Sequence, residues 1–204
     1  ENVFCSSCQS KLHPHDMYLY PENAFTAKFN GRVQMVAGAA LYDYVKGGRI
    51  QDAIERLKYR NEKEIGTELG RYFGLLLQGQ SAYCEAQLIL PVPLHPRKKA
   101  KRGYNQSALI ASGLSESLHI KWREDVLERT KFTDSQVQKN RMERMRNMAD
   151  AFQVKKPDLL KNTHVLLVDD VLTTGATLEA CALQLYKICP EIRISMLTIG
   201  IAKS

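Results

Sequence analysis

The sequence predicts an α/β protein in which a parallel sheet is flanked by helices. Apolar runs suited to buried strands, at residues 86–92, 165–170 and 192–201, alternate with segments of helical spacing. Strands separated by helical crossovers lie parallel in one sheet. A chain of 204 residues with 44% hydrophobic content can bury one sizeable core, so we expect one main domain with an appendage.

The elements follow from the pattern in chain order. Residues 1–30 are irregular and are expected to stand apart, and residues 33–46 show the partial alternation of a strand or hairpin. Gly47 and Gly48 break that pattern, and residues 126–131 fit a further strand. The spacing of apolar residues predicts helices at residues 50–58, 65–76, Gln106–Leu118 and Ala176–Ile188.

Two adjacent acids, Asp169 and Asp170, are predicted to end the strand of residues 165–170 at its carboxyl edge. A turn rich in hydroxyls and glycine follows: Thr173, Thr174, Gly175, Ala176 and Thr177. Backbone N–H groups at such a turn, aligned with the next helix dipole, suit an anion. Carboxylates repel phosphate but accept hydrogen bonds from sugar hydroxyls, so the pattern favours a ribose 5-phosphate. The alternative is that the threonines only cap a packed helix.

This stretch closely resembles the 5-phosphoribosyl-1-pyrophosphate (PRPP) signature of type I phosphoribosyltransferases. The shared pattern is four apolar residues, two acids, two variable residues and Thr-Thr-Gly-x-Thr. The resemblance implies that Asp169 and Asp170 are catalytic and hold the ribose hydroxyls, directly or through Mg²⁺. It also implies that residues 173–177 bind the 5-phosphate.

Residues 90–106 form a second constellation, in which a strand is expected to run into a proline-rich loop with five cations. Cationic side chains and free amides suit a pyrophosphate that carries Mg²⁺. The predicted pyrophosphate ligands are Arg97, Lys98, Arg102 and Gly103. Lys99 and Lys101 exceed the needs of one pyrophosphate and would suit a longer polyanion. The alternative is a basic surface turn.

The net charge of +7 is concentrated in this loop and in residues 139–149, which carry four cations and one acid. Concentrated positive charge indicates a polyanionic partner. The residues expected to belong to a hood over the ligand or to contact nucleic acid are Lys99, Lys101, Gln136, Arg141, Arg144 and Asn147. Two solvated surface faces are the alternative.

The order of these motifs resembles the ComF family, which is associated with competence and DNA uptake. The resemblance is carried by Leu57-Lys58-Tyr59, residues 102–106, Arg129-Thr130 with Thr133 and Gln136, and Arg141, Arg144, Asn147 and Phe152. It implies a type I phosphoribosyltransferase-like domain at residues 31–204, with hood elements within 31–80 and 130–150. The expected activity is transfer of phosphoribose from PRPP to a nitrogen acceptor with release of pyrophosphate. The alternative is a non-catalytic protein that senses PRPP or a nucleotide and binds single-stranded DNA beside competence-machinery proteins.

Cys5 and Cys8 form half of a tetrahedral zinc site, so residues 1–30 are expected to hold a zinc-ribbon remnant. His13 and His15 are possible further ligands, and two incidental thiols are the alternative. Five cysteines without a regular framework favour a reducing, cytoplasmic setting. The sequence contains no apolar run of the roughly 18 residues that a membrane helix needs, so no membrane insertion is expected.

Overall fold

A computed structural model of the chain describes residues 12–130 and 151–202. Its centre is a four-stranded sheet in which every pairing is parallel. The strands are β1 (Ala37–Tyr44), β2 (Leu88–Pro91), β5 (His164–Leu172) and β6 (Arg193–Ala202), in the order β1-β6-β5-β2. A separate antiparallel pair consists of β3 (Leu127–Arg129) and β4 (Phe152–Val154). The predicted α/β class with a parallel sheet is confirmed.

Helices cover the sheet, and the two at Gln106–Leu118 and Ala176–Ile188 have the predicted bounds. The helices are α1 (Ala24–Ala27), α2 (Arg49–Tyr59), α3 (Glu64–Leu77), α4 (Ser81–Cys84), α5 (Pro96–Arg102), α6 (Gln106–Leu118) and α7 (Ala176–Ile188). Asn105 starts α6, because its side chain accepts a hydrogen bond from the Ser107 N–H at 3.2 Å. None of the described helices has the length and apolar character needed to cross a bilayer.

The sheet separates two hydrophobic layers. On one face, Leu166 and Val168 of β5 pack with apolar residues of α2, α3 and α6. On the other face, Val165 and Leu167 pack with apolar residues of α7 and with the chain before β1. All four of these β5 residues have no solvent exposure. Because both faces are covered, β5 reads as a continuous apolar run rather than an alternating one.

Residues 12–30 pack onto the main core, so the expectation that residues 1–30 stand apart is wrong for the described part. Phe25 and Phe29 have 0% and 1% exposure and belong to the α7-side layer. Asn23 caps α1 and donates a hydrogen bond to the Gly38 carbonyl of β1 at 2.9 Å. Two buried aromatics without a repeating pattern leave no periodic signal in the sequence. Cys5 and Cys8 lie outside the described residues.

Some strand bounds differ from the prediction because strand pairing depends on distant residues. The predicted strand or hairpin of residues 33–46 is a single strand, and β2 and β3 are shorter than expected. Trp122 packs against the core and forms one parallel bridge with Ile89 of β2. The carboxyl ends of all four sheet strands therefore meet at one edge, which carries the candidate site.

Candidate functional site

Asp169 and Asp170 lie near the carboxyl end of β5, but they do not end the strand. Val171 and Leu172 still pair with Gly200 and Ile201 of β6. The prediction that the strand ends at Asp170 is therefore wrong by two residues, because the ladder with β6 continues past the acids. Both carboxylates still line a cavity at this edge of the sheet.

Asp170 forms a buried ion pair with Lys58 of α2. The distance from Lys58 Nζ to Asp170 Oδ2 is 2.7 Å, and the two side chains are 22% and 8% exposed. Burial alone would lower the pKa of Lys58, but the carboxylates of Asp170 and Asp169 raise it above its ordinary value. Lys58 is therefore a fixed positive charge in the site.

Asp169 is held differently. Its Oδ1 accepts hydrogen bonds from the Ser107 hydroxyl at 3.0 Å and from the Asp170 N–H at 2.9 Å. Burial, reinforced by repulsion from Asp170, raises the pKa of Asp169 to about 7. The two neighbouring acids thus have different environments: Asp170 is neutralised by a cation, whereas Asp169 is oriented by neutral donors.

The threonine-rich turn connects β5 to α7. Thr173 and Thr174 are exposed, and Thr177 lines the cavity that also contains the two acids. Gly175 has φ +81°, and a Cβ there would lie 2.9 Å from the ring of the buried Phe29. Glycine is therefore required both by the left-handed backbone and by the close approach. Gly175, the N-cap residue, supplies no side-chain cap, and the Thr174 hydroxyl accepts a long hydrogen bond from the Ala176 N–H at 3.4 Å. The side chains of the turn thus cap one N–H group of the first turn of α7, and the N–H groups that follow are the ones suited to an anion.

Arg32 ties this turn to the chain before β1. Its guanidinium donates a hydrogen bond to the Thr174 carbonyl at 3.3 Å and forms an ion pair with Glu179 of α7. Glu179 is only 7% exposed, so its carboxylate is largely shielded from solvent. The hydrogen bond from Arg32 to Glu179 raises the pKa of Arg32. Arg32 thus stabilises the threonine-rich turn without lining the cavity.

The basic segment after β2 contains a helix where a loop was expected. Helix α5 starts with Pro96, and the His95 side chain caps it by accepting a hydrogen bond from the Arg97 N–H at 3.2 Å. Gly103 ends α5 in the left-handed conformation with φ +84°. The role of Gly103 in the structure is thus to terminate a helix, and a Cβ there would meet no atom within 4 Å.

Because α5 is helical, its cations face different directions. Lys98 and Arg102, four residues apart, line the cavity of the acidic pair. Lys99 and Gly103 line a neighbouring cavity of about 440 Å³, and Lys99 Nζ pairs with Glu124 at 2.5 Å. Arg97 and Lys101 are exposed on the same helix. The four predicted pyrophosphate ligands are therefore not brought to one surface.

The cavity at the acidic pair has a volume of about 210 Å³. Its walls come from five parts of the chain: the acids and Thr177, the end of α2, the residues after β2 and α5, the start of α6, and the end of β3. Acidic acceptors and the cations Lys98 and Arg102 thus line the same cavity. Such a surface can bind a small ligand that combines hydroxyl donors with anionic groups.

Sequence reasoning assigned no site role to most of the residues that line this cavity. Among them, Ser107 orients Asp169, Gln106 lies beside Arg102, and Arg129 joins the wall from the end of β3. The predicted start of α6 shortly after Gly103 could have indicated Gln106 and Ser107, because a helix that begins at a sheet edge presents its first side chains there. For Arg129, the sequence signal was its place in the order of motifs that resembles the ComF family.

Tyr59 forms the rim of the cavity. It is 77% exposed, and the Arg102 guanidinium lies over its ring, 5.6 Å from the centroid. An exposed aromatic ring beside a guanidinium can bind a flat, electron-rich group of a ligand by stacking and by cation–π attraction. The other predicted hood or nucleic-acid residues, Gln136, Arg141, Arg144 and Asn147, lie outside the described residues.

One oxygen of each carboxylate in the acidic pair is already engaged by the protein. Asp170 Oδ2 is occupied by Lys58, and Asp169 Oδ1 accepts two hydrogen bonds. Among residues 12–130 and 151–202, no cluster of three or more His, Cys, Asp or Glu side chains could hold a metal. His15, considered as a zinc ligand, pairs with Asp43 at 3.2 Å.

Three relatives show where this chain belongs, although no family model matches it. Competence protein F of Haemophilus influenzae is 32% identical over 200 residues, which cover 94% of this chain and 87% of that protein. DNA utilization protein YhgH of Escherichia coli K12 is 37% identical over 134 residues, and the match spans 63% of this chain and 57% of YhgH. Competence protein ComFC of Bacillus subtilis is 26% identical over 193 residues, 87% of this chain and 75% of its own length.

Among solved structures, the glutamine PRPP amidotransferase of B. subtilis overlaps 71% of this chain and 30% of its own length. The sequence identity is 16% and the TM-score is 0.46, an overlap too partial to support a conclusion. The sequence relatives are sufficient, since competence protein F matches almost end to end. The chain belongs to the ComF family of competence-associated proteins.

Proposed function

We propose that this protein binds PRPP and transfers its phosphoribosyl group to a nitrogen acceptor, with release of pyrophosphate. One observation carries the proposal. The acidic pair, Thr177 of the glycine turn, and the cations Lys98 and Arg102 line a single cavity. Hydroxyl acceptors, a phosphate-binding helix start and a cationic wall are the three features that a phosphorylated ribose with a diphosphate requires.

The ribose diol would bind at the acids. Ionised carboxylates accept hydrogen bonds only, so a sugar hydroxyl is a suitable donor. The ammonium of Lys58 lies 2.7 Å from Asp170 Oδ2. Asp169 is anchored through Oδ1 and keeps its second oxygen for the ligand. Two acceptors on adjacent residues suit the two neighbouring hydroxyls of ribose.

The 5-phosphate would bind at the start of α7. The N–H groups of the first turn and the positive end of the helix dipole favour a phosphate. Gly175 allows the left-handed turn that starts α7 against the Phe29 ring, and Thr177 lines the cavity at the first turn of the helix. The anion is thus separated from the carboxylates by the length of the sugar ring.

The pyrophosphate would leave toward α5. Lys98 and Arg102 line the same cavity as the acids and would stabilise the negative charge that develops on the departing oxygen. The ribose carbon gains positive character in such a displacement, and the nearby carboxylates favour that charge. Holding the sugar at both ends supplies the orientation part of catalysis.

Magnesium enters this proposal only with the ligand. One oxygen of each acid is engaged by Lys58 or Ser107, whereas a diphosphate is itself a good ligand for Mg²⁺. The ion would therefore be held mainly by the oxygens of PRPP itself. Zinc at Cys5 and Cys8 stays a proposal for residues outside the described part.

Calorimetry with PRPP and Mg²⁺, and with ribose 5-phosphate, tests the proposal. Asp170→Asn and Thr177→Val are each expected to weaken both ligands at least tenfold. Asp158→Asn is a matched control, because the Asp158 side chain is 87% exposed and pairs only with Lys161 among the described residues. Failure of both ligands to bind, or binding that is indifferent to both site variants, would contradict the proposal. A screen of nucleobases for product then identifies the acceptor.

A second candidate function is binding of single-stranded DNA, as a sensor that performs no transfer. Two observations favour it: the exposed cations Arg97, Lys98 and Lys101 lie on one helix, and the exposed ring of Tyr59 lies next to Arg102. Cations that follow a backbone and an aromatic that stacks on bases are the usual elements of such binding. The names of the relatives, which refer to competence and DNA utilization, agree with this use.

Fluorescence anisotropy with a labelled oligothymidine separates the two functions. The triple substitution Lys98→Ala, Lys99→Ala, Lys101→Ala is expected to weaken DNA binding and to reduce its salt slope by about one per lost phosphate contact. Asp170→Asn is expected to leave DNA binding unchanged. A flat salt dependence in the unmodified protein would exclude the DNA-binding function.

A further inference from the structure

The ammonium of Lys58 occupies a position inside the acidic pair where a bound cation could otherwise lie. It lies 2.7 Å from Asp170 Oδ2, and its side chain is 22% exposed against 8% for that of Asp170. A surface lysine would keep its ammonium in water. This lysine instead gives up most of its hydration to contact one buried carboxylate.

The fold holds Lys58 in this position from two sides. Lys58 lies in the last turn of α2, where the negative end of the helix dipole favours a positive charge. The preceding residue, Leu57, is fully buried, and its carbonyl accepts a hydrogen bond from the Tyr104 hydroxyl. Tyr104 directly precedes the cap of α6, so the segments that carry Lys58 and Ser107 are tied together.

One oxygen of each carboxylate is already in use, and the Lys58 ammonium lies beside the pair. Asp170 Oδ2 contacts Lys58, and Asp169 Oδ1 accepts hydrogen bonds from Ser107 and from the Asp170 N–H. Magnesium requires near-octahedral oxygen ligands at about 2.0–2.1 Å. A divalent ion at these carboxylates would therefore have to displace the ammonium or lie against it.

We propose that Lys58 replaces a protein-bound divalent metal at the acidic pair, so that the pair binds the ribose diol without Mg²⁺. This inference rests on the proposed phosphoribose site and adds its cation requirement. The ammonium compensates the two neighbouring carboxylates with one charge, and it leaves the second oxygen of Asp169 available for a hydroxyl. A magnesium ion carried by the diphosphate of PRPP is unaffected, because that ion would lie toward Lys98 and Arg102.

Ribose 5-phosphate is the appropriate probe, because it has the diol and the phosphate but lacks the diphosphate that chelates magnesium. For the unmodified protein, calorimetry is expected to give dissociation constants in EDTA and in Mg²⁺ that agree within twofold. For Lys58→Met, binding in EDTA is expected to weaken at least tenfold and to recover in part when Mg²⁺ is added. Lys187→Met is the matched control, since Lys187 lies in the last turn of α7 and is exposed. A tenfold dependence on Mg²⁺ in the unmodified protein would overturn the inference.

Manganese binding without any ligand gives a readout that does not depend on sugar recognition. Electron paramagnetic resonance of the unmodified protein is expected to show no Mn²⁺ bound at the acid pair. Lys58→Met is expected to gain one site, which the further substitution Asp170→Asn removes. An Mn²⁺ site in the unmodified protein that Asp170→Asn abolishes would refute the inference, even if Lys58→Met fails to fold.

The two arms also separate this inference from the proposed function. If the unmodified protein binds ribose 5-phosphate in neither buffer, the phosphoribose proposal fails, and the manganese experiment still decides the role of Lys58. Lys58→Arg keeps the charge, so it is expected to remain independent of Mg²⁺ and to bind no Mn²⁺. Gain of an Mn²⁺ site in Lys58→Arg would contradict the inference.

Discussion

At the carboxyl edge of the sheet, the chain leaves β5 and β2 in different ways. After β5, three residues lead directly into α7. After β2, the chain first forms the short basic helix α5 and only then α6. The β5 junction therefore keeps its chemical groups contiguous in sequence, whereas the β2 junction distributes its cations around a helix. Residues that are adjacent in sequence share a site in the first case and are separated in the second.

The largest expected difference between the junctions is at their glycines. Gly175 and Gly103 both have φ near +80°, but only at Gly175 would an added Cβ approach another side chain, lying 2.9 Å from the Phe29 ring. Gly175→Ala is expected to lower the free energy of unfolding by about 3 kcal/mol, from backbone strain and overpacking together. Gly103→Ala should lower the free energy of unfolding by the backbone strain alone, about 1 kcal/mol. Urea unfolding measures both, and equal losses would contradict the assigned role of Phe29.

The second prediction concerns charge at the β5 junction. The pKa of Asp169 is raised to about 7 by burial and by Asp170, while its ordinary value is about 4. The folded state thus binds the proton more tightly than the unfolded state, and stability is lost as the pH rises from about 4 to about 7. Asp169→Asn removes this loss.

Asp169→Asn is therefore expected to be more stable than the unmodified protein by about 1–2 kcal/mol at pH 7.5 and equally stable at pH 4. Binding of ribose 5-phosphate should weaken in the same variant. Urea unfolding at the two pH values measures the difference, with the exposed Asp158→Asn as the control. A variant that is less stable at pH 7.5 would show that the ionised carboxylate is favourable in the fold.

The third prediction tests whether the cations of α5 serve two different cavities. Lys98 lines the cavity of the acidic pair, whereas its neighbour Lys99 lines the adjacent cavity and pairs with Glu124. Lys98→Met is expected to weaken PRPP binding about tenfold, which is about 1.4 kcal/mol, with little change for ribose 5-phosphate. Lys99→Met should change neither ligand by more than twofold. If both variants weaken PRPP binding equally in calorimetry, the cations of α5 act through their total charge rather than through the direction in which each one points.

The smallest effect is expected at the support of the threonine turn. Arg32 contacts the Thr174 carbonyl and Glu179, but its side chain is 34% exposed, so solvent weakens the ion pair. Arg32→Met should reduce ribose 5-phosphate affinity about threefold and stability by less than about 1 kcal/mol. Arg56→Met, which breaks the Glu62 pair elsewhere, is the control. A loss above tenfold would place Arg32 in direct contact with the ligand.

The sequence predicts the junction after β5 better than the junction after β2, because the groups after β5 are contiguous in the chain. The bounds of α6 and α7 were predicted correctly, because Asn105 and Gly175 act on the residues next to them. The helix α5 was missed because three nearby prolines and a run of cations are typical of a loop. The correct signal was Pro96 itself, which is favourable in the first turn of a helix. The end of β5 was misplaced because its last pairs are made with β6.

By itself, the sequence determined the parallel α/β fold, the acidic pair with its threonine turn, and the family. These features depend on periodicity and on residues that are close in the chain. Only the tertiary structure decided which cations face the acids, that Ser107 orients Asp169, and that Lys58 neutralises Asp170. Lys58 and Asp170 are more than a hundred residues apart, and a contact at that separation follows from how α2 packs on the sheet, which no local pattern encodes.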